Sequence, residues 1–156
     1  MSTEIFDLIR NLLASQGIQF QEIHHQPTHT SDESAQARGE DISIGGKALL
    51  MKVDDGFKLF VLSAAKKVDS QRIKERFGAR RLRFATTEEL ARLTGLAPGS
   101  VPPFGRPVLP FDLYVDNSIV GNERIAFNAG LLTASIIMKT RDYIAVAMPD
   151  VFQFST

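Results

Sequence analysis

Lys47 follows two glycines and opens an apolar run, Ala48-Leu49-Leu50-Met51. An ammonium at the entry to a strand can hold a phosphate or a polarised ester, and glycines beside it let backbone approach a ligand closely. Gly45-Gly46-Lys47 matches only the tail of a phosphate-binding P-loop, which also requires a Gly five positions before Gly46 and a Ser or Thr after the lysine. Those places hold Asp41 and Ala48, so the P-loop is excluded. Pro98-Gly99-Ser100-Val101-Pro102-Pro103-Phe104-Gly105 is a second candidate: glycines at both ends of a proline-stiffened loop can turn amides toward a carbonyl or phosphate, as an oxyanion site requires. His24, His25 and His29 lie close together, yet strand neighbours point to opposite faces and no carboxylate stands at a metal-ligand spacing. No Gly-x-Ser-x-Gly elbow or His-Glu-x-x-His is present, and there is no cysteine, so standard serine-hydrolase, zincin and thiol chemistry lack their residues.

Net charge conceals a local feature. The chain has 18 basic and 18 acidic side chains, but residues 66–83 carry Lys66, Lys67, Arg72, Lys74, Arg76, Arg80, Arg81 and Arg83 against Asp69 and Glu75, a balance of +6. Residues 1–65 and 84–156 balance at −4 and −2. A dense basic stretch is the footprint that a phosphate backbone attracts, because each neutralised phosphate releases counterions; a solvated helix face is the plainer reading. Only Phe77 and Phe84 accompany it, too few for stacking along a single strand.

The elements that must position these residues follow from periodicity and punctuation. Ile5, Leu8, Ile9, Leu12 and Leu13 recur at helical spacing, with Ser2 or Thr3 as N-cap and Gly17 beyond the end. Phe20 to His24 reads as extended. Thr30-x-x-Glu33 and Thr86-x-x-Glu89 are capping boxes, opening helices that stop at Gly39 and near Gly95. Asp54-Asp55-Gly56 between 47–52 and 57–62 predicts an antiparallel hairpin. Ser70 to Phe77 reads as a helix and Arg81 to Phe84 as a strand. Five of the seven prolines fall between Pro98 and Pro110, a loop; strands over 111–115, 124–128 and 134–139 follow, then a helix over 141–146. With 156 residues, 44% hydrophobic, the expectation is one α/β domain with a mixed sheet. No apolar run approaches the ~20 residues of a membrane span, and the start has neither a basic n-region nor an apolar h-region, so a soluble, untargeted, cytoplasmic protein is expected.

The order of these pieces resembles the free-standing aminoacyl-tRNA editing domains, the YbaK and prolyl-tRNA-synthetase-associated deacylases. The resemblance rests on His25-x-Pro27 followed by Thr30-Ser31, on Lys47 in Gly-Lys-Ala-Leu, and on Lys66-Lys67-Val68-Asp69. It continues through Arg81 to Thr86, the run Gly95 to Gly105 and Phe127-Asn128-Ala129-Gly130, covering about residues 20–148. It implies a single domain with a mixed, curved, partly barrel-like sheet and flanking helices, spanning 1–156. It also implies hydrolysis of the ester joining a wrong amino acid to transfer RNA, without cofactor or metal. In this resemblance Lys47 holds the acceptor-end phosphate or the ester, and the loop with Gly99, Ser100 and Gly105 supplies oxyanion donors. Asn128, Ala129 and Gly130 line the amino-acid pocket, whose volume depends on how Thr28, Thr30, Leu49, Phe104 and Asn128 converge. The implied partners are the acceptor end of a mischarged transfer RNA, met by Lys66, Lys67, Arg72, Lys74, Arg76, Arg80 and Arg81, and a synthetase; neither DNA nor membrane is expected. Some members carry a His in the segment matching Phe127 to Gly130, where this chain has Asn128, so amino-acid specificity does not transfer from any one branch. The missing nucleophile leaves a non-catalytic binding module of the same fold open, and a hydrolase of other small esters.

Overall fold

The computed structural model describes residues 2–156. Its elements run α1 (Glu4–Ser15), β1 (Phe20–His24), α2 (Ser31–Arg38), a 3-10 turn (Ile42–Ile44), β2 (Gly46–Val53), β3 (Gly56–Ser63), α3 (Ser70–Phe77), β4 (Leu82–Phe84) and α4 (Thr87–Thr94). After the proline-rich loop come β5 (Leu113–Val115), α5 (Asn117–Val120), β6 (Arg124–Asn128), β7 (Ala134–Lys139), α6 (Thr140–Ala147) and β8 (Asp150–Val151).

Local chemistry explains most boundaries. Both capping boxes form: Thr30 accepts from the Glu33 amide and Thr86 from the Glu89 amide, while each glutamate reaches back to its cap. Gly39 and Gly95 end those helices in the left-handed region. At α1 it is Ser2 whose hydroxyl accepts, from the Glu4 amide, whereas the Thr3 hydroxyl donates to Asp7. The β2–β3 hairpin turns on Asp54 and Asp55, with Gly56 already paired to Val53. The Asp54 carboxylate then accepts from the amides of Arg80 and Arg81, fastening the start of β4 to the turn.

The strands form two sheets, which corrects the expectation of one curved, partly barrel-like sheet. An antiparallel sheet has the order β1-β7-β6; a mixed one has β4-β2-β3-β5-β8, with β5 parallel to both β3 and β8. A lone parallel bridge, Gly45 to Ala126, joins them, so no barrel closes. The glycine pair explains the contact. A Cβ on Gly46 would sit 2.8 Å from Ile125 and one on Gly45 would sit 3.1 Å from Ala64, so both glycines make room for neighbouring protein. The main core lies between α1, the antiparallel sheet and the proline-rich loop; a second cluster of Phe60, Ile73, Tyr114 and Phe154 lies under α3. Among the described residues no helix is long and apolar enough to cross a membrane.

Asp116 is fully buried and ties the chain's end to the mixed sheet. Its carboxylate accepts from the Ser118 and Phe154 amides and the Ser155 hydroxyl. Burial pushes its pKa up, but these hydrogen bonds outweigh burial and hold it below the usual carboxylate value. Its contribution to stability is therefore present above about pH 4 and lost as pH falls through the lowered native value. Asp116→Ala leaves buried donors unpaired and is expected to cost about 2–3 kcal/mol at neutral pH. Urea unfolding at pH 7 and pH 3 should show the gap from the parent narrowing in acid; an equal gap at both would contradict this role.

Candidate active site

Where α2, the Thr28–Ser31 turn, the start of β2, Gly99 and the end of β6 meet, they enclose a cavity of about 230 Å³. Of the residues expected at the site, it is lined by Lys47, Gly99, Thr28, Thr30, Leu49 and Asn128. The others lie elsewhere for identifiable reasons. Phe104 is 2% exposed and packs edge-on against Phe127 and Tyr143 in the main core. Gly105 is buried in the turn before Leu109, where a Cβ would lie 2.5 Å from the Phe111 carbonyl. Ser100 points back to the Ala97 carbonyl, and its own carbonyl accepts from Gly130. Ala129 pairs with Ala134, and Gly130, at φ +82°, is pressed against Ile5 of α1. Their place in the chain beside pocket residues does not put them in the pocket.

Lys47 is half-buried, and its Nζ donates to the Lys66 carbonyl at 3.1 Å. Burial first, and the charge of Lys67 second, hold its pKa below the ordinary lysine value. Gly99, at φ +89°, is fixed from outside: its carbonyl accepts from Asn128 Nδ2 at 2.9 Å. Among the described residues neither the Gly99 nor the Val101 amide has a protein acceptor, and both residues line the cavity.

Asn128 reaches the cavity with its hydrogen-bonding capacity already taken. Nδ2 donates to Gly99 and, at 3.3 Å, to Thr28 Oγ1; Oδ1 accepts from Arg38 Nη2 at 3.1 Å and from the Ser135 hydroxyl at 3.0 Å. Thr28 in turn shares a hydrogen bond with Ser34. His25 Nε2 lies 2.8 Å from Ser135 Oγ, and Nδ1 donates to the Gln26 carbonyl. Asn128 thus fixes other groups instead of meeting a ligand itself.

Arg38 is the residue that sequence reasoning missed. Its guanidinium donates through Nε to Ser135 and through Nη2 to Asn128, yet among the described residues no carboxylate lies within ion-pair distance. Burial lowers its pKa to about 10, which leaves it charged at neutral pH. With five N–H donors and two engaged, Arg38 has donors to spare, and it lines a cavity that contains Lys47 and no acidic lining residue. A last-turn arginine reads in sequence as helix-dipole complement. The usable signal was that Ser34 and Ala35, where a helical acid partner would stand, are neutral. The cavity therefore favours an anion or an oxygen that becomes one. None of its hydroxyls is hydrogen-bonded to a histidine or carboxylate, so it presents no nucleophile–base pair.

The expected basic segment is largely exposed. Arg72 pairs with Asp69, and Arg83 with Glu89. Lys66, Lys67, Lys74, Arg76, Arg80 and Arg81 make no side-chain ion pair among the described residues, although Asp54, whose pKa the Arg81 and Arg80 amides lower, lies close enough to both for their charges to help lower it. Lys66 and Lys67 adjoin the cavity through Lys47; Arg76 instead lies over the rings of Phe77 and Phe152.

The two-sheet fold is one already seen in solved structures. A candidate trans-editing enzyme for prolyl tRNA synthetase superposes with a TM-score of 0.82 at 27% identity, over 95% of this chain and 94% of that one. The sequence matches the aminoacyl-tRNA editing domain over residues 25–146, and the chain belongs to that family. It is 32% identical to the multifunctional Ser/Thr-tRNA deacylase ProXp-y of Escherichia coli K12, over 92% of this chain and 88% of that one. It is also 38% identical to the proline–tRNA ligase of Shouchella clausii, over 64% of this chain and 17% of that enzyme.

Proposed function

We propose that the chain, acting as one editing-type domain, hydrolyses in trans the ester that joins a small, hydroxyl-bearing amino acid to the wrong transfer RNA. The observation that carries this reading is the pairing of two cations, Lys47 and Arg38, in a small cavity without an acidic residue. Family membership and the named activity of the Escherichia coli relative support it. The need is physical: one methylene is worth only about 1–3 kcal/mol in a synthetase pocket, too little to exclude near-isosteres. Thr28, Ser34 and Thr30 give the cavity polar walls, which suit a hydroxyl-bearing side chain.

In the reaction an oxygen of water or of the substrate attacks the ester carbonyl, and the bond from that carbon to the ribose oxygen breaks. The ribose oxygen takes a proton, leaving free amino acid and transfer RNA. Lys47 and Arg38 stabilise the negative charge that develops on the carbonyl oxygen, assisted by the free amides of Gly99 and Val101. Asn128 and Ser135 are positioning residues that aim Arg38 and Gly99. Lys66 and Lys67 at the rim, with Lys74, Arg72, Arg80 and Arg81 beyond, guide the acceptor end; a synthetase is a further partner.

A panel of mischarged transfer RNAs tests the reading. Catalytic release of serine or threonine above the spontaneous rate is expected, slowing as salt rises by an amount set by a few phosphates. Tight binding without turnover would make the domain a non-catalytic module, and equal activity on free aminoacyl esters would remove transfer RNA from its specificity.

A further inference from the structure

β4 pairs with only Met51, Lys52 and Val53 of β2 and the bridge to β6 is made at Gly45, so among the described residues the edge of β2 from Lys47 to Leu50 has no neighbouring strand. A trough of about 140 Å³ runs along this open edge, sharing Ala48, Leu49, Gly99 and Val101 with the active-site cavity and ending at Phe84. Ala85 donates to the Leu50 carbonyl. Main-chain groups alternate in direction along a strand, so the N–H and C=O of Ala48, two residues back, face the same open edge. Phe84 is 56% exposed, unlike Phe77, which is half-buried among Phe60, Tyr114 and Phe152. No other phenylalanine or tyrosine is among the strongly exposed large side chains of the described residues.

We propose that this trough binds the 3′-terminal nucleoside of the substrate, with its base stacked on Phe84 and its ribose at the shared wall formed by Ala48 and Gly99. The inference rests on the editing reading, because it is the ester that links the two compartments: an amino acid seated in the cavity must leave its ribose at the opening. The trough begins at that opening. Its other walls are Leu50, Ala85, Leu90 and Pro98, apolar as the faces of a base require, together with Thr86 and Thr87, whose hydroxyls suit a base edge, while Ala48 offers a main-chain donor and acceptor to the ribose. One exposed ring serves a single base, which agrees with the scarcity of aromatics in the basic segment.

The test is a cycle of two changes. Phe84→Ala should raise KM for mischarged transfer RNA about tenfold or more, the size of one lost base–aromatic stack, and Phe84→Tyr should restore it. With transfer RNA carrying an abasic ribose at its 3′ end, wild type and Phe84→Ala should have the same KM. Because Phe84 is exposed, thermal unfolding of both variants should match the parent. If wild type releases amino acid and Phe84→Ala either leaves KM unchanged or raises it equally on the abasic substrate, the trough is not the nucleoside site. If wild type releases no amino acid from any mischarged transfer RNA, the editing reading falls, and this proposal with it.

Discussion

Lys47→Ala is expected to lower the rate of amino-acid release by about a hundredfold or more, the scale on which removal of one donor to a developing oxyanion is felt. Folding should be almost untouched. The Nζ makes a single protein hydrogen bond, to the Lys66 carbonyl, worth about 1 kcal/mol, so the thermal midpoint should move by no more than about 2–4 °C. The same side chain sets an alkaline limit. Burial and Lys67 lower its pKa, so the ammonium is lost at a lower pH than an ordinary lysine would lose it, and activity should decline earlier as pH rises. Single-turnover release at several pH values, with a melting curve for each protein, measures all of this. An active Lys47→Ala variant would reduce Lys47 to a strand-end residue.

Arg38→Met should separate activity from stability more sharply still. A partly buried guanidinium with no carboxylate partner among the described residues bears a desolvation cost that its two hydrogen bonds to neutral groups repay only in part, and methionine removes the charge while keeping much of the volume. Release should fall about a hundredfold, while the urea midpoint should hold or rise. Arg38→Lys should not rescue it, because an ammonium cannot span Ser135 and Asn128 as the planar fork does. Added methylguanidine should restore part of the lost rate in Arg38→Met. Full activity in that variant, or a large drop in its stability, would make Arg38 a structural tie between α2 and the antiparallel sheet.

Much of the fold was legible because its signals are local. Thr30 with Glu33 and Gly39, and Thr86 with Glu89 and Gly95, mark both ends of α2 and α4, and the strands read over 124–128 and 134–139 match the observed bounds of β6 and β7. The 3-10 turn and α5 escaped notice because they are only three and four residues long, and β8 because a distant strand defines it. α5 is capped by Asp116, and β8 exists only through its pairing with Tyr114 and Val115. The division into two sheets was hidden for a similar reason, since it depends on which strands pair across gaps of more than 100 residues, as β1 and β7 do.

The site was legible where a motif residue faces the cavity and illegible where it faces the core. Lys47 and Asn128 meet although 81 positions separate them, whereas Ala129 and Gly130, directly beside Asn128, turn into packing against β7 and α1. Arg38 carries no motif of its own. It becomes conspicuous only when Ser135 and Asn128, 97 and 90 residues away, are seen to hold it while no acid does.

Asn128 binds Thr28, Arg38, Gly99 and Ser135 into one unit, and that has a consequence for how the domain can change over evolutionary time. A substitution at any of these positions disturbs the others, so they constrain one another and resist drift. Ala35, Ile42, Leu49 and Ala64 line the same cavity with apolar side chains outside that network. Their sizes can vary one at a time, so a new amino-acid preference can arise in this scaffold by reshaping its apolar wall while the groups that perform hydrolysis stay as they are.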